Sequence, residues 1–237
     1  MKVYTYFQPE PQLCLEDEVR LIHLWQDCWR NHSAEAVVLN EYHAREHPYY
    51  KYYNQDIARL PSVNPGSYDR SCFMRWLAVA SAAKPAETAV MCDYDVMSYG
   101  FTTRRAQMGI LRLHEPSGVP CLVSAQGSVF EKVCKVFAGY IPDDKDVHDG
   151  RPHVSDMTIL HRLLSENEAQ TRLMRVLREC LEFGSPGWEF AAAVHYSNAS
   201  MGSKGLKPKW KHIPTLRAWT TSAGDAEQTN PALSTTT

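Results

Sequence analysis

Apolar positions along this chain follow two periods. Residues 3–7, VYTYF, run β-branched and aromatic side chains together and stop at Gln8-Pro9, which predicts a first strand. Between 15 and 32, Leu21, Leu24, Trp25, Cys28 and Trp29 recur every three or four positions, the spacing of one helix face. Residues 34–40, AEAVVLN, predict a second short strand, so the chain opens as a βαβ unit with parallel strands. The aromatic and polar stretch 41–60 predicts a short helix and a loop, and Asn64-Pro65-Gly66 a turn. A helix is predicted over 67–82, capped by Ser67, with Asp69 in its first turn and Phe73, Trp76, Leu77 and Ala80 facing inward.

The alternation continues. The apolar run 89–92 predicts a buried strand, and 108–114 and 121–125 predict two more. Ser128 and Glu131 have the spacing of a capping box, opening a helix that buries Phe130, Val133, Val136 and Phe137. Ser155-Asp156 starts another helix through TILHRLLSE, residues 174–183 predict one more, and 188–196 predict an apolar strand ending at His195. The pattern predicts a single α/β domain over 1–221, with a mostly parallel central sheet flanked by helices. The tail 222–237 is poor in hydrophobic residues and is expected to be disordered. There is no internal repeat.

Composition narrows the function classes. With 237 residues the chain can build a substantial core, and a formal charge of −2 offers no general electrostatic grip on nucleic acid or a membrane surface. The single basic cluster runs from Lys204 to Lys211. The 7 cysteines are scattered, odd in number and form no C-x-x-C pair, which argues against a disulfide framework and a structural zinc site. No apolar run reaches the roughly 18–20 residues of a membrane span, and MKVYTYFQP lacks the features of a signal peptide. A soluble, reducing, cytoplasmic setting is the expectation.

The chemistry concentrates where the run 89–92 meets Asp93-Tyr94-Asp95. Burying a carboxylate is costly unless it is paired or metal-bound. In an extended strand, carboxylates at i and i+2 share one face about 7 Å apart, which suits a hard divalent cation. Ligands of open α/β sheets bind beyond the carboxyl ends of strands, which is where this triplet stands. A solvated loop after a strand is the plain alternative.

The stretch FMRWLAVASAAKPAETAVMCDYDV resembles the donor-binding region of GT-A glycosyltransferases, closest to the sugar-binding DXD type and the glycogenin-like retaining transferases. Residues 194–210, VHYSNASMGSKGLKPKW, are similar to the C-terminal H-Y-x-G-x-x-K-P-W segment of the same enzymes, with a longer spacer between His195 and Gly205 and an added Lys209. The resemblance implies a GT-A (nucleotide-diphospho-sugar transferase), Rossmann-like fold. It implies a Mn²⁺ or Mg²⁺ ion held by Asp93, Asp95 and His195, with Arg75 and Asp93 toward the donor and Lys207 toward its diphosphate. Lys204 is a further cation for that charge. Thr5 and Tyr6 on the first strand stand where this fold places the base and ribose. Ser124-Ala125-Gln126-Gly127 resembles an acceptor-side segment, and Ser155-Asp156-Met157 a segment whose Asp contacts a sugar, so Gln126 and Asp156 become the catalytic candidates. Asp156 is equally a first-turn residue favoured by the helix dipole, Arg75 a surface charge, and His195 a satisfied core residue.

The activity so implied is metal-dependent transfer of a sugar from a nucleotide-diphosphate donor to a glycan or other hydroxyl acceptor, with retention favoured and Asp156 as the base of an inverting route. Two alternatives belong to other classes. A haloacid-dehalogenase-type phosphatase also carries D-x-D after an apolar strand, but near its N-terminus and with Thr or Val where this chain has Met97. A non-catalytic nucleotide-sugar or glycan-binding module keeps the same fold without turnover.

Overall fold

The structure, a computed structural model, describes residues 1–9, 14–64, 68–102, 109–142, 146–148, 150–166, 174–204, 206 and 212. Its centre is a six-stranded sheet in the order β2-β1-β3-β6-β5-β9. The strands are β1 (Lys2–Tyr6), β2 (Glu35–Leu39), β3 (Thr88–Cys92), β5 (Leu111–Leu113), β6 (Leu122–Gln126) and β9 (Met174–Val176). All pairings are parallel except those of β6, which runs against both β3 and β5. The mostly parallel sheet expected from the sequence is therefore present, with one reversed strand.

The chain leaves this sheet at the end of β3 and re-enters a second one almost at once. β4 (Val96–Ser98), β10 (Cys180–Glu182) and β11 (Ala193–His195) form a three-stranded sheet in the order β10-β11-β4. A short hairpin, β7 (Val147–His148) with β8 (Arg151–Pro152), stands apart.

Side chains of alternate strand residues point to opposite faces, and here both faces are buried. On one face Tyr4, Tyr6, Met91, Val123, Ala125, Leu111 and Leu113 pack with Phe73, Trp76 and Leu77 of α4 (Tyr68–Ala82) and with α5 (Gly127–Ala138) and α6 (Asp156–Glu166). On the other, Val3, Val90, Cys92 and Leu122 pack with Trp25 and Trp29 of α1 (Leu15–Asn31) and with the smaller sheet. The inward residues of α1 are those its periodicity named, Leu21, Leu24, Trp25, Cys28 and Trp29, together with Ile22. α4 is buried through Phe73–Val79, most of its circumference, because it lies between the sheet and α5 rather than on a surface; Ala80 is only half-buried. α2 (Glu41–Arg45) and α3 (Tyr50–Gln55) follow β2, and α7 (Asn198–Ser203) follows β11.

Three expectations are corrected. Residues 174–183 form no helix: they supply β9 and β10, because Leu113 and His114 take their intervening backbone N–H groups. The strand expected over 188–196 begins only at Ala193, after a 3₁₀ turn at Trp188–Phe190 that follows a left-handed Gly187. The Ser128/Glu131 capping box does not form. Instead α5 starts at Gly127, where a Cβ would come within 2.4 Å of the Lys84 carbonyl oxygen, and Glu131 meets the buried His47 ring at 2.6 Å. A further strand, β4, for which the residue pattern predicts no element, follows the acidic turn. Ser67, part of the 64–66 turn and the 222–237 tail lie outside the described residues.

A buried polar chain ties β5, β6 and the start of β10 together. His114 Nδ1 lies 2.7 Å from Glu179 Oε2 and its Nε2 2.8 Å from Ser124 Oγ. A carboxylate only accepts, so Nδ1 carries the proton and Nε2 accepts from Ser124. Burial lowers the His114 pKa, partly offset by Glu179. Below the ordinary histidine value near 6.5 the unfolded chain binds a proton that the native state refuses. Stability should be full above that value and fall as pH drops through it. Urea unfolding of the wild type and His114→Gln across pH 7.5–5 tests this, and the variant should lose that part of the pH dependence.

Candidate metal and donor site

Asp93, Tyr94 and Asp95 are the turn between the two sheets. The Val96 N–H donates to the Asp93 carbonyl at 3.0 Å, closing the turn. Its two ends are anchored: the Asp93 N–H donates to Cys121 O and the Tyr196 N–H to Asp95 O, both at 2.9 Å. α1 braces what flanks it. The Trp25 indole N–H donates to Cys92 Sγ at 3.2 Å, the Trp29 indole to Val96 O at 3.0 Å, and the Cys28 thiol to Ser98 O at 3.3 Å.

Strand β11 runs antiparallel to β4 and sets His195 opposite Val96. The imidazole thereby reaches the turn, with Nε2 3.5 Å from Asp95 Oδ1. One ligand atom from each of Asp93, Asp95 and His195 falls within 4.8 Å of the other two, and all three residues are half-buried. The carboxylates do not sit as i and i+2 on an extended strand. β3 ends at Cys92, and the acids stand on the turn that follows it. Two carboxylates and an imidazole are donors that suit Mn²⁺ or Mg²⁺.

Arg75 joins this cluster from below. It is buried, with its Nη1 on Asp93 and its Nη2 and Nε on Asp156 Oδ2 at 2.7 and 3.2 Å. The same Asp156 oxygen accepts from the Trp76 indole at 2.9 Å, and the other accepts the Met157 N–H at 2.8 Å. Burial works against the guanidinium's charge, but Asp156 and Asp93 outweigh it and hold the pKa well above its ordinary value. Burial also raises the Asp93 carboxyl, aided by Asp95 and opposed by Arg75. Burial works against a charged His195 ring, yet Cys121 and Asp95 together hold its pKa well above the usual value. Asp95 carries that effect, because the Cys121 thiol is itself raised far above its ordinary range, by a hydrogen bond with Cys180 and by burial, and stays neutral near pH 7.

An open cavity of ≈ 460 Å³ lies beyond the carboxyl ends of β1 and β2, lined by Phe7, Gln8, Pro9, Asn40, Glu41, Tyr42 and Arg45. Phe7 links it to the acidic turn, its ring meeting Tyr94 edge-on with centroids 5.9 Å apart. Tyr94 packs rather than facing the cluster, and its hydroxyl donates to Glu18 of α1.

The remaining candidates fall in different places. Thr5 is fully buried with no hydrogen-bond partner for its Oγ1, and Tyr6 is buried with its hydroxyl on Gln8 at 3.0 Å, so the accessible surface starts at Phe7 instead. Asp156 is buried and engaged by Arg75 and Trp76, with no free face toward the cluster's open side. Gln126 is separated from the cluster. In the reversed strand β6 it pairs with Thr88 at the amino end of β3, while Leu122 pairs with Cys92, so Gln126 sits at the opposite edge of the sheet, its amide 3.5 Å from Ala86 O. Lys207, with Gly205, Pro208, Lys209 and Trp210, lies outside the described residues. Lys204 has its Nζ 5.2 Å from the Phe183 ring centre, and the Phe183 N–H donates to His195 O, so this lysine is on the cluster's edge of the sheet. The sequence reading missed Cys121, Phe7 and Glu18. Among them only Phe7 carried a signal, its place at the end of the first strand.

The sequence matches no family model and no curated protein sequence. Among solved structures, the fold matches the crystal structure of a glycosyltransferase involved in the glycosylation of the major capsid of PBCV-1. The TM-score is 0.51 with 8% identity, covering 90% of this chain and 98% of that one. The likeness extends over nearly all of both chains, and at that identity it shows the shared fold.

Arg75 is the cluster's structural keystone. Arg75→Ala should strand Asp156 in the interior with Trp76 as its last side-chain donor, at a cost of ~3–5 kcal/mol. Equilibrium urea unfolding reads it. Asp156→Asn added to Arg75→Ala should cost far less than it does alone, because the charge left unpaired is removed.

Proposed function

We propose that this protein is a metal-dependent glycosyltransferase, moving a sugar from a nucleotide-diphosphate donor to a hydroxyl acceptor. The observation that carries this reading is the convergence of Asp93, Asp95 and His195 at the edge of a sheet whose fold is that of a glycosyltransferase.

Asp93, Asp95 and His195 would hold a Mn²⁺ or Mg²⁺ ion. Bound there, such an ion supplies Lewis-acid neutralisation of the charge that develops on a departing diphosphate. Such cations commonly share their shell between a few carboxylates and substrate phosphates, and this donor set would suit that arrangement. The rest of the work falls to the chain. Arg75 fixes the Asp93 carboxylate from one side, so that ligand needs little reorganisation when the donor arrives. Tyr94 and Phe7 place the cavity beyond β1 next to the turn, and that cavity would take the nucleoside, with the diphosphate running toward the acids. Lys204, and Lys207 from the basic segment, would add positive charge as the diphosphate leaves.

Retention is the better reading of the stereochemistry. An inverting route needs a general base, and Asp156 is committed to Arg75 and Trp76 inside the protein. Its role is to position Arg75. Gln126 has no part in this scheme, because it lies at the far edge of the sheet.

A thermal-shift panel of nucleotide diphosphates and nucleotide-sugars, each with and without Mn²⁺, tests the class. One donor should stabilise the protein only in the presence of the metal. Hydrolysis of that donor should then fall by about a hundredfold or more in Asp95→Ala and in His195→Ala, the several kcal/mol a Lewis acid contributes. Metal-dependent binding without turnover of any donor would favour the binding module. Metal-independent binding, or none, would overturn the proposal.

A further inference from the structure

The interior holds a second guanidinium, and this one lacks the partners that Arg75 has. Arg112 is the middle residue of β5 and is 5% exposed. Its Nε is buried without a hydrogen-bond partner, and among the described residues no carboxylate forms an ion pair with it. Its side chain leaves the sheet on the face opposite Leu111 and Leu113, the face that carries His114 and Ser124. Those two groups are already committed: the Ser124 hydroxyl donates to His114 Nε2, and His114 Nδ1 donates to Glu179. Burial, with Arg112 adding to it, lowers the His114 pKa against the pull of Glu179, so the ring beside the guanidinium is neutral near pH 7. The neighbouring strand adds more positive charge. β9 runs parallel to β5 and sets Arg175 in register with Arg112, on the same face. Like charges directly opposite on adjacent strands repel, and a guanidinium does not shed its proton in a protein. β9 is the outer strand of the sheet, with Arg175 and Val176 exposed, so the pair opens to solvent at that edge.

We propose that Arg112 and Arg175 form an oxyanion site, a two-arginine clamp for a phosphate group at the β5–β9 edge. Two positive charges are matched by a dianion, and each guanidinium fork fits two oxygens of one tetrahedral group. A carboxylate would answer only one of the two charges. The bound phosphate gives the Arg112 guanidinium the acceptors that the fold withholds. The site is separate from the acidic turn. Arg112 is level with Ser124 and, across β6, with Val90, so it lies two strands across and three residues back from Asp93. It stands whether or not the sugar-transfer reading does.

Thermal unfolding in Tris chloride without added metal, at an ionic strength held constant with NaCl, tests the clamp. Inorganic phosphate should raise the Tm saturably, by about 5–10 °C at a hundredfold excess over its Kd, while acetate should not. Arg112→Met should abolish that rise. In phosphate-free buffer the same variant should melt at or above the wild-type temperature, because an unpaired interior charge has been removed. Arg175→Met changes an exposed position and so leaves the fold intact; it should weaken phosphate by about tenfold or more. Asp95→Ala should keep the full rise, which separates this site from the acidic turn. Phenyl phosphate distinguishes the source of the group. A rise equal to that with phosphate upholds a clamp for a phosphate ester on a larger molecule, and a rise with phosphate alone upholds one for the free ion. A wild type that phosphate does not stabilise, or an Arg112→Met or Arg175→Met protein that keeps the rise in full, overturns the proposal.

Discussion

A single guanidinium makes this cleft affordable. Carboxylates drawn together at a sheet edge repel one another and lose hydration, and the turn at 93–95 does both. Arg75 answers from inside the fold, reaching Asp93 with one arm and Asp156 with two nitrogens. Asp156 is in turn the first residue of α6, where the helix dipole favours a negative charge. The acidic turn is thus wired through α4 to the start of α6, and the charges form a chain rather than a heap.

The second constraint is topological. A chain that leaves one sheet and enters another within three residues has little freedom in the turn between them. Backbone hydrogen bonds with the residue before β6 and the residue after β11 fix its two ends, and two tryptophans of α1 seat the strands on either side. The carboxylates therefore point where the sheets dictate. His195 is delivered by strand register, not by a flexible loop, which is how a residue from the far end of the chain can be held at a site with useful accuracy.

Legibility in the sequence tracked how local each cause was. α1 could be read in detail because its inward stripe is a property of its own seventeen residues. β9 and β10 could not, since Met174–Val176 and Cys180–Glu182 are extended only because β5, His114 and β11 offer them partners. β4 was hidden by its brevity, three residues after a turn. The acidic pair announced itself by ending an apolar run, and His195 was reached through family resemblance rather than through anything in its own surroundings. Gln126 was misplaced for a physical reason: nothing in LVSAQ reveals which way that strand runs, and direction decides which edge its last residue occupies. Cys121 gave no sign at all, because a cysteine before an apolar run looks like any small hydrophobe.

That reversed strand shapes the cleft in one more way. In a uniformly parallel sheet every connection at the binding edge leads outward from a strand exit. Here the segment 114–121 joins β5 to β6 as a hairpin across that same edge, and it is pinned on itself, the Glu115 carboxylate accepting the N–H groups of Ser117 and Val119 at 2.8 and 3.2 Å. One wall of the opening is therefore a rim pinned on itself and packed at Gly118 against His161 of α6, with only Pro116 and Ser117 exposed. Length added at Pro116-Ser117 would raise that rim and leave every strand and every charged side chain beneath it where it stands.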